Sequence, residues 1–298
     1  MSILVTAETV AGIPRPPVRR ILTLENIGDD TFQGMSNIAA PRIYGGQALG
    51  QSLVAAGLTV DSDRQVHSLH GHFIHPGRSD VPVEYCVEQL RDGGSFTTRH
   101  IRAVQEGRTI FVATASFQRP EAGLEHQQPA SEPAIPPEQI SRFEDSMNPQ
   151  ELSEAGWLLP LLSNIGVEFR FPEEYPRLAN RRGEARPPRQ RAWVRTPETL
   201  GDDALIQAAG FAYCSDLFLL SAALPPHGRH IDSPGLQLAS LDHTVWFHTP
   251  FRADEWHLYE QEGSWMGNSR GLSRGHLFDR AGRLVASTAQ EGLLRFRS

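Results

Sequence analysis

The stretch VHSLHGHFIHPGRSD, Val66–Asp80, returns later in the chain as LASLDHTVWFHTPFRAD, Leu238–Asp254. Phe73-Ile74-His75 with Arg78 and Asp80 answers to Trp246-Phe247-His248 with Arg252 and Asp254, at offsets 248 − 75 = 173 and 252 − 78 = 174. Four of the 12 histidines fall in the first copy, which raises the question of a metal. Read as a strand, the copy rises about 3.3 Å per residue, so His67 and His75 stand roughly 26 Å apart on one face and cannot share an ion. His70 and His72 do share a face, but a site needs a third ligand that the sequence does not supply. The reading is therefore a strand carrying histidines, with no metal.

Working outward, the first copy sits inside a pattern that the second repeats. YGGQALGQSLVAAGLTV, Tyr44–Val60, reads as a helix apolar on most sides and hence enclosed. Four strands are predicted after it, at Val66–His75, Val81–Leu90, Phe96–Val104 and Thr109–Gln118. They are joined by HPGRSD, RDGGS and QEGR, glycine-bearing signals of hairpins, so the first part reads as a meander. Residues 120–149 are rich in proline, glutamate and glutamine and read as a linker. PQELSEAGWLLPLL then suggests a short helix, IGVEFRF and RQRAWVR suggest strands, and DDALIQAAGFAYCSDLFLLSAAL reads as one long helix capped by Asp202 or Asp203. Four more strands close the chain, at Leu236–His248, Trp256–Glu262, Ser269–Asp279 and Leu284–Arg295. FVATASFQ also aligns with LVASTAQE, Val112 and Val285 being 173 apart (285 − 112). Helix then four strands, twice, predicts an α+β fold: a double hotdog of two tandem units, each a long central helix wrapped by an antiparallel sheet. The expected boundaries are 1–126 for the first unit, 127–160 for the linker and 161–298 for the second unit.

Composition excludes several classes. A formal net charge of −7 gives no broad attraction to nucleic acid. No window reads as the roughly 20 apolar residues of a membrane span, and a cytoplasmic location is the default expectation. Cys86 and Cys214 stand alone, without a C-x-x-C partner, so neither a disulfide framework nor a thiolate metal site is indicated.

The two copies differ most where chemistry could reside. Asp216 lies in the apolar run YCSDLFLL, where an ionised carboxylate is costly unless hydrogen-bonded. Ser240 lies on the strand LQLASLDHTVWFH and Gln290 on the last strand. Carried back by the offsets, Asp216 falls near Leu49, Ser240 on His67 and Gln290 on Phe117, so one polar set per chain is expected, built mostly by the second unit. His67 is then an ancillary residue lining the site from the first unit. G-x-S-x-G occurs at Gly267–Gly271 and Gly271–Gly275, but at the start of and within the predicted strand Ser269–Asp279 and with no helix following, so neither reads as a strand-to-helix nucleophile elbow.

Seven blocks in order, YGGQALGQSLVAA, VHSLHGHFIHPG, LRDGGSFTTR, TASFQRPEAGLEHQ, SDLFLL, LDHTVWFHTPFRADEW and LVASTAQEGLLR, make the chain resemble the TesB-like type II acyl-CoA thioesterases over nearly its whole length. The resemblance implies hydrolysis of fatty acyl-CoA to free acid and coenzyme A, without metal or organic cofactor, by a dimer or tetramer. It implies a catalytic Asp, hydroxyl residue and Gln, which fall on Asp216, Ser240 and Gln290. Serine stands at 240 where the family typically has threonine; the hydroxyl is kept, and the methyl that restrains χ1 is lost. The expected chemistry is a water deprotonated by Asp216 and held by Ser240 and Gln290. Gly45-Gly46-Gln47 could donate backbone N–H groups to a developing oxyanion, or could simply admit a turn into the helix. The arginines of RRGEARPPRQRAWVR, Arg181–Arg195, could meet coenzyme A phosphates or form a solvated loop. Two other readings stay open: a non-hydrolytic acyl-CoA binding protein on a degenerate scaffold, and a hotdog dehydratase, whose short His-containing hydratase motif is not found.

Overall fold

The computed structural model describes residues 17–36, 41–142 and 165–297. The helix expected at PQELSEAGWLLPLL lies outside the described residues. The first unit holds α1 (Val18–Ile21), β1 (Glu25–Gly28), β2 (Thr31–Gly34), α2 (Gly45–Gly57), β3 (Gln65–Phe73), β4 (Val83–Asp92), β5 (Phe96–Gln105) and β6 (Arg108–Gln118). The second holds β7 (Glu168–Arg170), α3 (Pro176–Arg181), β8 (Arg189–Arg195), α4 (Ala204–Ser215), β9 (Leu236–Ser240), β10 (Asp242–Phe247), β11 (His257–Gly267), β12 (Arg270–Phe278) and β13 (Leu284–Phe296).

The strands form one continuous antiparallel sheet in the order β1-β2-β4-β5-β6-β3-β10-β13-β12-β11-β8-β7, with β9 paired to β13. The two halves mirror each other across the β3–β10 seam, where Leu69 faces Val245 and His70 faces Thr244. The first unit is not a simple meander: β3 pairs with β6 and β10, and HPGRSD carries the chain across the sheet to β4. The second correction concerns Leu236–His248, which is two strands. At Leu241 the chain leaves one partner position for another, its N–H donating to the Glu291 carbonyl while its own carbonyl accepts from Phe73 N–H.

The ladder proves the duplication more sharply than the residue matches. The bulge at Leu90 of β4, between Gln89 and Arg91, recurs at Ser264 of β11, between Gly263 and Trp265, an offset of 264 − 90 = 174. A second irregularity at Ala103–Val104 recurs at Leu277–Phe278 with the same spacing. The side-chain fork of Arg78 on Asp80 is likewise repeated by Arg252 on Asp254. The recurring bulges fix which ladder positions correspond: the offset is 174 between β3 and the β9–β10 run (240 − 66) and 175 between β6 and β13 (292 − 117). His70 answers to Thr244, and Ser240, facing Gly292, answers to Val66, facing Phe117.

Both central helices lie inside this wrap. Every residue of α2 from Gly46 to Ala56 is buried. Of its polar members Gln51 is satisfied on both sides, Nε2 donating to the Ile21 carbonyl at 2.6 Å and Oε1 accepting from Tyr85 Oη at 2.6 Å, whereas Gln47 Oε1 and Ser52 Oγ have no partner among the described residues. The helices pack antiparallel at close range, so that a Cβ on Gly46 would lie 2.0 Å from the Tyr213 carbonyl and one on Gly50 3.0 Å from that of Ala209. Absence of a side chain is what allows this approach. The segment Ala204–His227 is in fact long and apolar enough by composition to cross a membrane, contrary to the sequence reading, but its most apolar window is 78% buried inside the protein. It is core, and α4 itself ends at Ser215.

The described part of the linker is held against the outer side of the second unit. Gln127 Nε2 donates to the Gly282 carbonyl, Trp193 Nε1 donates to that of Ile135, and Arg170 donates to that of Pro137.

Candidate active site

Asp216 is the C-cap of α4. Helix ends release carbonyls that need donors, and the second unit supplies them from two buried glutamines. Gln261 Nε2 donates to the Leu217 carbonyl at 3.2 Å, and Gln190 Nε2 donates to that of Phe218 at 2.8 Å. Phe218 has φ of 65°, which turns the chain sharply away from the helix axis. The last turn is fixed from two further sides: Tyr259 Oη donates to the Ser215 carbonyl at 3.1 Å, and His243 Nε2 lies 2.8 Å from Ser215 Oγ. Ser215 Oγ donates to the Ala212 carbonyl, so the His243 ring supplies the proton in its own contact. Burial pushes that ring's pKa down to about 3, leaving it neutral.

Ser240 and Gln290 converge on the carboxylate thus placed. Gln290, 0% exposed, donates from Nε2 to Asp216 Oδ1 at 2.6 Å and to Ser240 Oγ at 3.0 Å. Ser240 Oγ lies 3.4 Å from the same carboxylate oxygen. The kink at Leu241 makes this possible, because it lets Ser240 pair with Gly292, two residues along β13 from Gln290 and so on the same face. Both Gln290 N–H groups are engaged, and its buried Oε1 has no hydrogen-bond partner among the described residues.

The first unit contributes the N-terminus of α2. Tyr44, its N-cap, makes no side-chain capping bond; the Gly46 N–H is turned instead toward the Asp216 carboxylate. Gly45 packs so closely that an added Cβ would lie 2.6 Å from Asp216 Oδ2. Asp216 therefore acts as a cap in trans, its charge set against the positive end of the helix dipole. Burial raises its pKa from the ordinary carboxylate value, and the bonds from Gln290, Ser240 and Gly46 oppose that rise. The Gln47 N–H donates to the Tyr44 carbonyl at 3.0 Å.

His67 is not part of this group. Its Nε2 lies 2.8 Å from Ser116 Oγ, its ring meets Phe96 edge-on, and it lines a cleft with Gly57 and Leu205. That cleft is at the far end of the helix pair, about 18 Å along α2 from Gly45 at 1.5 Å per residue. The two units meet as opposed copies, so the counterpart of the Asp216 site, with Val66 and His67 both in it, lies at the other end of the helix pair. The arginine cluster is largely neutralised: Arg182 and Arg186 bond Glu174 and Glu184, Arg191 bonds Glu173, and Arg195 bonds Glu168. Among the described residues no group of three His, Cys, Asp or Glu side chains is placed to hold a metal ion.

Comparison with known proteins fits this arrangement. A family described as acyl-CoA thioesterase matches residues 166–293, and one described as acyl-CoA thioesterase N-terminal domain matches residues 33–118. The chain is 38% identical to human acyl-coenzyme A thioesterase 8, over 94% of this chain and 89% of that protein. The chain belongs to the type II acyl-CoA thioesterase family. Among bacterial members of the family, acyl-CoA thioesterase 2 of Haemophilus influenzae is 36% identical over 93% of this chain and 96% of its own length. The crystal structure of an acyl-CoA thioesterase II, TesB2, from Mycobacterium marinum superimposes with a TM-score of 0.76 at 37% identity, covering 94% of this chain and 99% of that one. A hot dog fold protein from Alicyclobacillus acidocaldarius shares the architecture with a TM-score of 0.75 at 17% identity, covering 94% and 98%.

Proposed function

We propose that this thioesterase hydrolyses fatty acyl-CoA to free acid and coenzyme A, with Asp216 as general base and Ser240 and Gln290 holding the water. The observation that carries the reading is the convergence of Gln290 and Ser240 on Asp216 Oδ1 beside the N-terminus of α2. A carboxylate so held presents its oxygens in one orientation, and partial burial raises its basicity toward neutral pH.

In the proposed step, water donates one proton toward Asp216 and the other toward the unpartnered Oε1 of Gln290. Its oxygen lone pair attacks the thioester carbonyl carbon as Asp216 takes the first proton. The carbon–sulfur bond of the tetrahedral intermediate then breaks, and the coenzyme A thiolate leaves and takes up a proton. No acyl-enzyme is formed. A thiolate is a good leaving group, so a carboxylate suffices as the base. A non-hydrolytic binding protein would have no use for a buried carboxylate with raised pKa, which favours catalysis over sequestration.

Release of free thiol from acyl-CoAs of increasing chain length tests the reading. The wild-type chain should turn over at least one length class, and Asp216→Asn should remove most of that turnover while leaving the fold intact. Equal rates for the two proteins would overturn it.

A further inference from the structure

The duplication that builds the Asp216 site also builds a second cleft at the opposite end of the helix pair. Its landmarks are the register equivalents of the first. Val66 stands where Ser240 stands, Phe247 where Phe73 stands, and Ala204 and Leu205 open α4 as Gly45 and Gly46 open α2. The cavity between them has a volume of about 600 Å³, within the range of small-molecule sites.

What this cleft lacks is the chemistry. Leu58 caps α2 where Asp216 caps α4. Ala115, paired with Arg99 as Gln290 is with Ser273, replaces the amide, and Val66 replaces the hydroxyl. All three equivalents are apolar. The carboxylate that the helix N-terminus requires is supplied in cis, by Asp203 accepting from the Leu205 N–H at 2.9 Å.

We propose that this cleft binds an acyl thioester without hydrolysing it. The inference rests on the acyl-CoA reading of the first site. Val66, Leu205 and Phe247 give the cleft an apolar wall suited to an acyl chain, and Arg64 gives its edge a donor suited to an amide oxygen of the carrier arm, whereas Arg119 is taken up by Asp63 at 2.7 Å. The Arg64 side chain is 6% exposed, and its Nη1 has no hydrogen-bond partner among the described residues, so it retains a donor for such an oxygen.

Titration calorimetry of the full chain with a thioether analogue of lauroyl-CoA, which cannot be hydrolysed, decides the matter. Two molecules per chain are expected for the wild type, and one for Val66→Trp, which fills the cleft. One molecule in the wild type, with thiol release from lauroyl-CoA intact, overturns the second cleft and leaves the proposed function standing. Two molecules in a folded Val66→Trp place the second ligand elsewhere and also overturn it. No binding together with no thiol release from any acyl-CoA overturns both readings.

Discussion

Gly45 and Asp216 come from different copies of a duplicated unit, yet less than the space of a methyl group separates them: a Cβ on Gly45 would lie 2.6 Å from Asp216 Oδ2. Gly45→Ala should therefore displace the carboxylate and lower kcat/KM by tenfold or more, while circular dichroism stays unchanged. Gly46→Ala is the contrasting case. Its Cβ would meet the Tyr213 backbone carbonyl at 2.0 Å, which cannot rotate away, so loss of stability in a thermal melt is expected instead.

Asp216→Asn should reduce thiol release by roughly two to four powers of ten, the usual contribution of a general base. In the wild type, activity should rise with pH through the raised Asp216 pKa. The stability sign is opposite. A carboxyl whose pKa is higher in the folded chain holds its proton more tightly there, so stability falls as pH climbs from the ordinary carboxylate value to the raised one. Urea midpoints across that interval should fall for the wild type relative to Asp216→Asn.

Gln290→Ala removes the leading hydrogen bond that favours the charged carboxylate. The acid limb of the kcat/KM profile should move to higher pH than in the wild type. Ser240→Ala should move it the same way by less, because its contact is 3.4 Å against 2.6 Å. Ser240→Thr keeps the hydroxyl and should keep the wild-type profile.

Gln261→Leu takes the side-chain donor from the buried Leu217 carbonyl and breaks the contact with Gln190. An unmade buried hydrogen bond costs about 1–3 kcal/mol, so chemical denaturation should show a loss of that order. Activity should fall with it, since the same bond fixes the turn after Asp216.

His243 is buried with its pKa lowered to about 3, whereas in the unfolded chain it titrates near 6.5. Below pH 6.5 the unfolded state binds a proton that the folded state refuses, so the stability it contributes is present above that pH and is lost as pH falls toward 3. Between pH 6.5 and 5 the loss is about 2 kcal/mol. His243→Gln should flatten this part of the stability curve, measured by urea unfolding at the two pH values.

Much of the fold was legible in the primary structure. Helix periodicity, strand alternation and glycine-bearing turns are local, and they placed α2 and most strands within a few residues. Asp216, Ser240 and Gln290 were legible because each is a polar residue in an apolar setting, in blocks that also mark the family. Gln190 and Gln261 gave no such signal: a glutamine on a strand looks alike whether it faces water or a helix end. Gly46 stands out in the sequence as half of a Gly-Gly pair, but what lies against it is Asp216, 170 positions away (216 − 46), which no local pattern marks.

By itself, the sequence determined that the chain is a duplicated helix-and-sheet unit with a single polar set, since duplication leaves repeated residues and burial leaves periodic ones. Only the tertiary structure decided which copy of each strand answers to which. The two units meet as opposed copies across the β3–β10 seam, so the counterpart of the Asp216 site, with Val66 and His67, lies at the far end of the helix pair. The tertiary structure alone also joined Gly46 of one unit to Asp216 of the other, because that contact depends on two antiparallel helices approaching within the distance only glycine allows.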